Sequence, residues 1–161
     1  IKEHKKEFKD LKIAWIGDGN NVCNSLIFGC SKTQTEIAIA TPKGFEPNSD
    51  VVKKSSKYTS VDLTTDPESA VKDADIVMTD TFTSIHTSDP KRNEKFLPAF
   101  QVNDSLMEKA KNDAIFMHCL PAKREQEVTS SVIDGSQSVV WDEAENRLHS
   151  QKALLLSLLG I

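Results

Sequence analysis

The sequence has few of the features that mark several large classes of protein. Cysteine is scarce: Cys23, Cys30 and Cys119 are an odd number with no CxxC pair. Neither a disulfide framework nor a zinc knuckle is supported, and a reducing compartment is expected. No apolar run approaches the roughly 20 residues that span a bilayer. The longest, Ala153 to Leu156 followed by Leu158 and Leu159, falls far short, so a membrane span is not expected. A basic block is also missing, because Lys2, Lys5, Lys6 and Lys9 alternate with Glu3, Glu7 and Asp10 and the net charge is -4. Nucleic acid is therefore not an expected partner. There is no internal repeat, low-complexity tract or signal-like segment, and the chain opens on Ile1 rather than Met. A cut or processed start is expected, with the address label missing.

What is present reads as one folded domain, since 161 residues are enough to bury roughly 70% of the unfolded surface. Short β-favouring runs occur at Lys12 to Ile16, Glu36 to Thr41, Asp75 to Thr79, Ala114 to His118 and Ser138 to Trp141. Between them, Val22 to Ser31 carries apolar residues at helical spacing. Cap residues open further helices at Asn48-Ser49-Asp50, Asp66-Pro67 and Asn103-Asp104. Strands alternating with helices predict an α/β domain over residues 1–161: a doubly wound, mainly parallel five-stranded sheet with helices on both faces, Rossmann-like in plan. Such sheets bind ligands beyond the carboxyl ends of their strands, so the loops there matter most. The irregular segment Thr83 to Pro98 is a candidate mobile lid.

The first strand runs into Gly17-Asp18-Gly19-Asn20-Asn21. GxGxxG is not completed, because Val22 stands where the third glycine belongs, and Glu36 matches the expected ribose-binding acid only loosely. Nucleotide binding, as in an oxidoreductase, thus rests on this loop alone. Asn21 at the loop-to-helix junction either caps the helix or offers its amide to a substrate. The third run ends in Asp80-Thr81-Phe82-Thr83-Ser84, where a carboxylate can hold a cationic amine or satisfy loop amides. The fourth ends in His118-Cys119-Leu120-Pro121, and Pro121 predicts extended backbone at Leu120. Adjacent strand residues point to opposite faces, so His118 and Cys119 are a poor protease dyad. No spacing among His86, His118, Cys119 and the other His and Cys residues matches a zinc site, and no metal is expected. Cys23 and Cys30, seven apart on one helix, read as core, and His4 and His149 as surface. Finally, Trp141 to Arg147 opens a helix with an acidic first turn, and Arg147 can present its fork to an anion.

Taken in order and spacing, GDGNN (17–21), TPKGFEP (41–47), DTFTS (80–84), HCLP (118–121) and EAENR (143–147) resemble the ornithine carbamoyltransferases over nearly the whole chain. HCLP followed by EAENR is the specific part, since aspartate carbamoyltransferases differ at that cysteine. The resemblance implies that Asn21, Asp80, Ser84 and the backbone of Ile85 hold L-ornithine. It implies that His118, Cys119, Leu120 and Arg147 lie on the carbamoyl phosphate side, with Asp80 and Cys119 near the attacking amine. It further implies transfer of the carbamoyl group to give citrulline and phosphate, no metal or organic cofactor, a homotrimer, and a cytoplasmic or mitochondrial-matrix setting. The family's Ser-Thr-Arg-Thr type phosphate loop is nowhere in these residues, so this chain is expected to be an ornithine-binding domain that lacks its N-terminal carbamoyl phosphate partner and is inactive alone. Phe82 stands where the family usually has Trp, and Ser84-Ile85-His86 where it has Ser-Met-Gly. Putrescine or an acylated ornithine is therefore the alternative substrate, and an amino-acid-binding module without turnover the nonenzymatic alternative.

Overall fold

The computed structural model describes residues 1–83, 89 and 91–161. The five strands are β1 (Lys12–Ile16), β2 (Glu36–Ala40), β3 (Val61–Thr64), β4 (Ile76–Thr79) and β5 (Ile115–His118). They form one sheet in the order β3-β2-β1-β4-β5, with every pairing parallel. The helices are α1 (Lys2–Lys5), α2 (Asn21–Thr33), α3 (Ser49–Ser55), α4 (Pro67–Val71), α5 (Asp104–Met107), α6 (Ser130–Ile133) and α7 (Val140–Leu159).

Side chains alternate across the sheet and so divide the core into two layers. Ile13, Trp15, Ile37, Ile39, Ile76 and Met117 pack with Cys23, Ile27 and Cys30 of α2 on one face. Ala14, Ile16, Ala38, Val77 and Phe116 pack with Ala70, Leu106 and Val132, from α4, α5 and α6, on the other. This is the doubly wound α/β arrangement expected from the strand and helix alternation, and Cys23 and Cys30 are core thiols as expected. Asn48, Asp66 and Asn103 each accept backbone N–H groups at the start of α3, α4 and α5. These are the caps that the sequence marked.

One strand was expected in the wrong place. Ser138 to Trp141 makes a single bridge to Phe116, and α7 begins at Val140. The unexpected fifth strand is Val61–Thr64, on the sheet edge beside β2. Its Asp62 and Leu63 are exposed, so it carries no hydrophobic alternation, and pairing with a buried neighbour rather than its own pattern makes it a strand. Among the described residues, no helix is long and apolar enough to cross a membrane.

The chain leaves β1 toward β2 and β3, then returns to lay β4 and β5 on the opposite side. This reversal opens a crevice beyond the ends of β1 and β4. The register aligns Ile16 with Thr79 and Thr79 with His118. Gly17, Asp80 and Cys119, each the next residue in its strand, therefore emerge side by side on one rim.

Candidate active site

Asp80 is the centre of that rim. Its Oδ2 accepts a hydrogen bond from Asn20 Nδ2 at 2.8 Å. Its Oδ1 accepts one from the Thr81 N–H at 2.7 Å and one from the Cys119 thiol at 3.3 Å. The carboxyl is nearly buried, at 9% exposure, and three loops converge on it. Cys119 is exposed as a residue, but its sulfur turns inward. Burial pushes its thiol up to about 12, and the neighbouring Asp80 adds to the shift, so the sulfur keeps its proton near neutrality. Glu143, in the first turn of α7, is also raised, chiefly by burial.

The loop from β1 to α2, which carries Asn20 to Asp80, shows why glycine stands there. A Cβ on Gly19 would lie 2.5 Å from the Glu46 carbonyl carbon and 2.6 Å from Phe45 O. Gly19 N–H donates to that same Phe45 oxygen at 2.8 Å. The space that a glycine in this loop could offer a nucleotide is therefore taken by the chain's own segment Phe45 to Pro47. Gly17 adopts φ +127°, and an added Cβ would meet the Phe82 ring at 2.9 Å.

Capping of α2 falls to Asn20, whose Oδ1 accepts from Val22 N at 2.9 Å and Cys23 N at 3.1 Å. Asn20 thus joins the helix to Asp80 with one side chain, while Asn21 is exposed at the first helical position. Two adjacent asparagines are equivalent to a cap preference read from sequence, and the pairing with Asp80 distinguishes them. Arg92 carries no motif at all. Its guanidinium pairs with Asp18, donates through Nε to Phe82 O at 2.6 Å, and lies 4.6 Å from the Phe45 ring centroid. Burial raises the Asp18 carboxyl despite this partner. Lys123 Nζ holds the next residue along, donating to Thr83 O at 3.0 Å.

Ser84, Ile85 and His86 lie outside the described residues, as does part of the expected lid. Its described portion is anchored: Phe96 is fully buried, stacked 4.5 Å from Phe82 and edge-on to Phe45.

His118 is fully buried and both ring nitrogens are engaged, Nδ1 by the Leu120 N–H at 2.9 Å and Nε2 opposite Glu127 Oε1 at 3.2 Å. A direct contact from this ring to carbamoyl phosphate would require breaking one of them. Leu120 is not extended as expected. It has φ +54° ahead of a cis Leu120-Pro121 peptide, with its N–H turned back to His118. Asp80, His118 and Cys119 bring donor atoms within 4.8 Å of one another, a grouping that sequence spacing did not show. As arranged, the Nδ1 lone pair and the thiol proton are committed to hydrogen bonds, which leaves a polar cluster rather than an open ligand set. Beyond Cys119, an open cavity of about 540 Å³ is lined by Leu120, Arg124, Trp141 and the exposed Arg147. Cys119, Leu120 and Arg147 thus line one cavity, next to Asp80 through the Cys119 hydrogen bond.

Residues 9–158 match the model of the aspartate/ornithine carbamoyltransferase Asp/Orn binding domain. Among similar proteins, the ornithine carbamoyltransferase of Cenarchaeum symbiosum is 63% identical over 98% of this chain, and the match covers 52% of that protein. That of Carboxydothermus hydrogenoformans is 51% identical over 99% of this chain and 53% of its own length. The solved ornithine carbamoyltransferase of Pyrococcus furiosus superposes with a TM-score of 0.91 at 46% identity, covering 97% of this chain and 52% of that one. The chain thus spans about half the length of the curated relatives it matches.

Proposed function

Because the chain belongs to the aspartate/ornithine carbamoyltransferase family, we propose that it is the ornithine-binding half of an ornithine carbamoyltransferase. The observation that carries this reading is the Asp80 carboxyl, pinned by Asn20, Thr81 and Cys119 at the crevice where the strand order reverses. A buried carboxylate with oriented lone pairs is a seat for a side-chain ammonium.

In the proposed reaction Asp80 binds and orients the ornithine side-chain amine. Once the amine has lost its proton, its nitrogen attacks the carbamoyl carbon of carbamoyl phosphate. A C–N bond forms, the bond from carbon to the phosphate oxygen breaks, the nitrogen passes its surplus proton to the departing phosphate, and citrulline and phosphate result. Cys119 retains its proton and so serves as a hydrogen-bonding wall beside the amine rather than as the base. Asn21, Ser84 and Ile85 belong to the amino-acid side of the proposal, and Leu120, Arg147 and the His118 backbone to the carbamoyl phosphate side. Holding two substrates in register can supply roughly 7–11 kcal/mol of the barrier reduction, so a second half carrying the phosphate donors is required. A trimeric assembly and a cytoplasmic setting belong to the same proposal.

The test is to join this chain to a carbamoyl phosphate-binding half and to assay a panel of amines. Citrulline from ornithine is expected, with putrescine and N-acetylornithine poor substrates and the 161-residue chain alone inactive. Asp80→Asn should lower kcat/KM for ornithine by about 100-fold, or ~2.7 kcal/mol of transition-state binding. A folded, complete enzyme that turns over no ornithine would reject the assignment.

A further inference from the structure

The loop after β5 contains a buried acid that the reaction proposed above does not use. Glu127 and His118 are both fully buried. His118 Nδ1 receives the Leu120 backbone N–H at 2.9 Å. A backbone amide can only donate, so Nδ1 must present its lone pair and the ring proton must sit on Nε2. Nε2 in turn lies 3.2 Å from Glu127 Oε1, an oxygen that also accepts the Lys123 N–H at 2.6 Å. The other oxygen of Glu127, Oε2, is buried with no hydrogen-bond partner among the described residues. Every polar contact described for this carboxyl therefore serves the end of β5 and the loop that follows it.

We propose that Glu127 is a positioning residue, which fixes the Nε2–H form of His118 and thereby holds the Leu120 turn and the Cys119 thiol in place. An oxygen that accepts from Nε2 favours the tautomer in which Nδ1 is free to take a proton donor. Leu120 fills that role at φ +54°, a region that a leucine rarely occupies without an external hold. The preceding residue is Cys119, whose sulfur then reaches Asp80 Oδ1 at 3.3 Å. Through Lys123 the same carboxyl governs a second contact, because Lys123 Nζ donates to Thr83 O at 3.0 Å, three residues beyond Asp80. Glu127 is itself tied down from outside the rim, since its carbonyl accepts the Val102 N–H at 2.9 Å. Leucine, of similar volume, removes both acceptor oxygens, whereas glutamine with its carbonyl at the Oε1 position would keep both accepted bonds and set its NH₂ group at the partnerless Oε2 position.

The structural part can be tested without any activity. In the chain labelled with ¹⁵N at histidine, the His118 resonances, identified by their loss in His118→Asn, should show the Nε2–H tautomer. Glu127→Leu, which leaves Nε2–H without its acceptor, should move part of the population to Nδ1–H. The kinetic part rests on the carbamoyl-transfer reading and uses the complete enzyme. There Glu127→Leu should lower kcat by roughly tenfold or more and leave the KM for ornithine within about twofold, a split that general loss of fold would not produce. An Nδ1–H tautomer in the unmodified protein would overturn the proposal, even if the variant did not fold. Unchanged tautomer and unchanged kcat in a folded Glu127→Leu protein would overturn it as well. If the unmodified complete enzyme made no citrulline, the carbamoyl-transfer reading would fail, while the NMR spectrum would still decide what Glu127 does.

Discussion

Cys119 shows how a single side chain changes meaning with its surroundings. A free thiol at an active-site rim invites a nucleophilic or basic role, but that role needs thiolate. Here burial, then the Asp80 charge, then the hydrogen bond to Asp80 all favour the protonated form, and the thiol is pushed up to about 12. With an acidic group raised in the folded state, the proton is held through neutral pH and released only as pH climbs well above the ordinary thiol range. Alkylation of Cys119 by iodoacetamide at pH 8 is therefore expected to be slow and to accelerate steeply toward pH 10. Asp80→Asn removes a charge and an acceptor but leaves the burial, so the rate at pH 8 should rise by about tenfold, one pKa unit. Equal rates in the two proteins, read by intact mass, would show that the carboxyl does not act on the sulfur.

At the scale of elements, two glycines of similar appearance in the sequence have opposite demands. Gly19 sits where an added Cβ would strike the Phe45–Pro47 backbone, whereas Gly29, inside α2, has nothing within 4 Å of that position. Gly19→Ala should cost about 1–3 kcal/mol by overpacking and weaken ornithine binding through the displaced Asn20. Gly29→Ala should stabilise by about 0.5–1 kcal/mol, the ordinary helix preference. Urea titrations of both variants would check the contrast. These cases also mark what could be read in advance. The caps at Asn48, Asp66 and Asn103, the central strands and the motif residues Asp80 and Cys119 declare themselves locally, through side-chain chemistry at a fixed offset. What stayed hidden depends on neighbours distant in sequence. The edge strand Val61–Thr64 takes its form from β2, and the choice of Asn20 over Asn21 shows only in its bond to a residue 60 positions away. Glu127, Arg92 and Lys123 act on the rim from segments without a motif.

For the whole molecule, the informative surface is α7. It begins against the sheet with Val140 buried, yet Leu148, Leu154, Leu155, Leu158 and Leu159 are all more than half exposed. Substituting exposed positions normally changes stability by no more than about 0.5 kcal/mol, whereas a fully buried strand residue such as Ile39 should cost about 2–5 kcal/mol on truncation to alanine. In the 161-residue chain, replacing Leu154, Leu155, Leu158 and Leu159 together by glutamine should therefore leave the urea midpoint almost unchanged and reduce self-association, while Ile39→Ala lowers the midpoint sharply. If the carbamoyl phosphate-binding half of the proposed enzyme packs on this helix, the same four substitutions will become destabilising in the two-half protein, because four leucines then leave a dry contact. Hydrogen exchange makes the comparison local: amides of Gln151–Leu159 should exchange quickly in this chain, since a helix with so little packing has only marginal stability of its own. Slow exchange there already in the 161-residue chain would mean that the leucines have found another partner, such as a second copy, and that the complete protein must displace it.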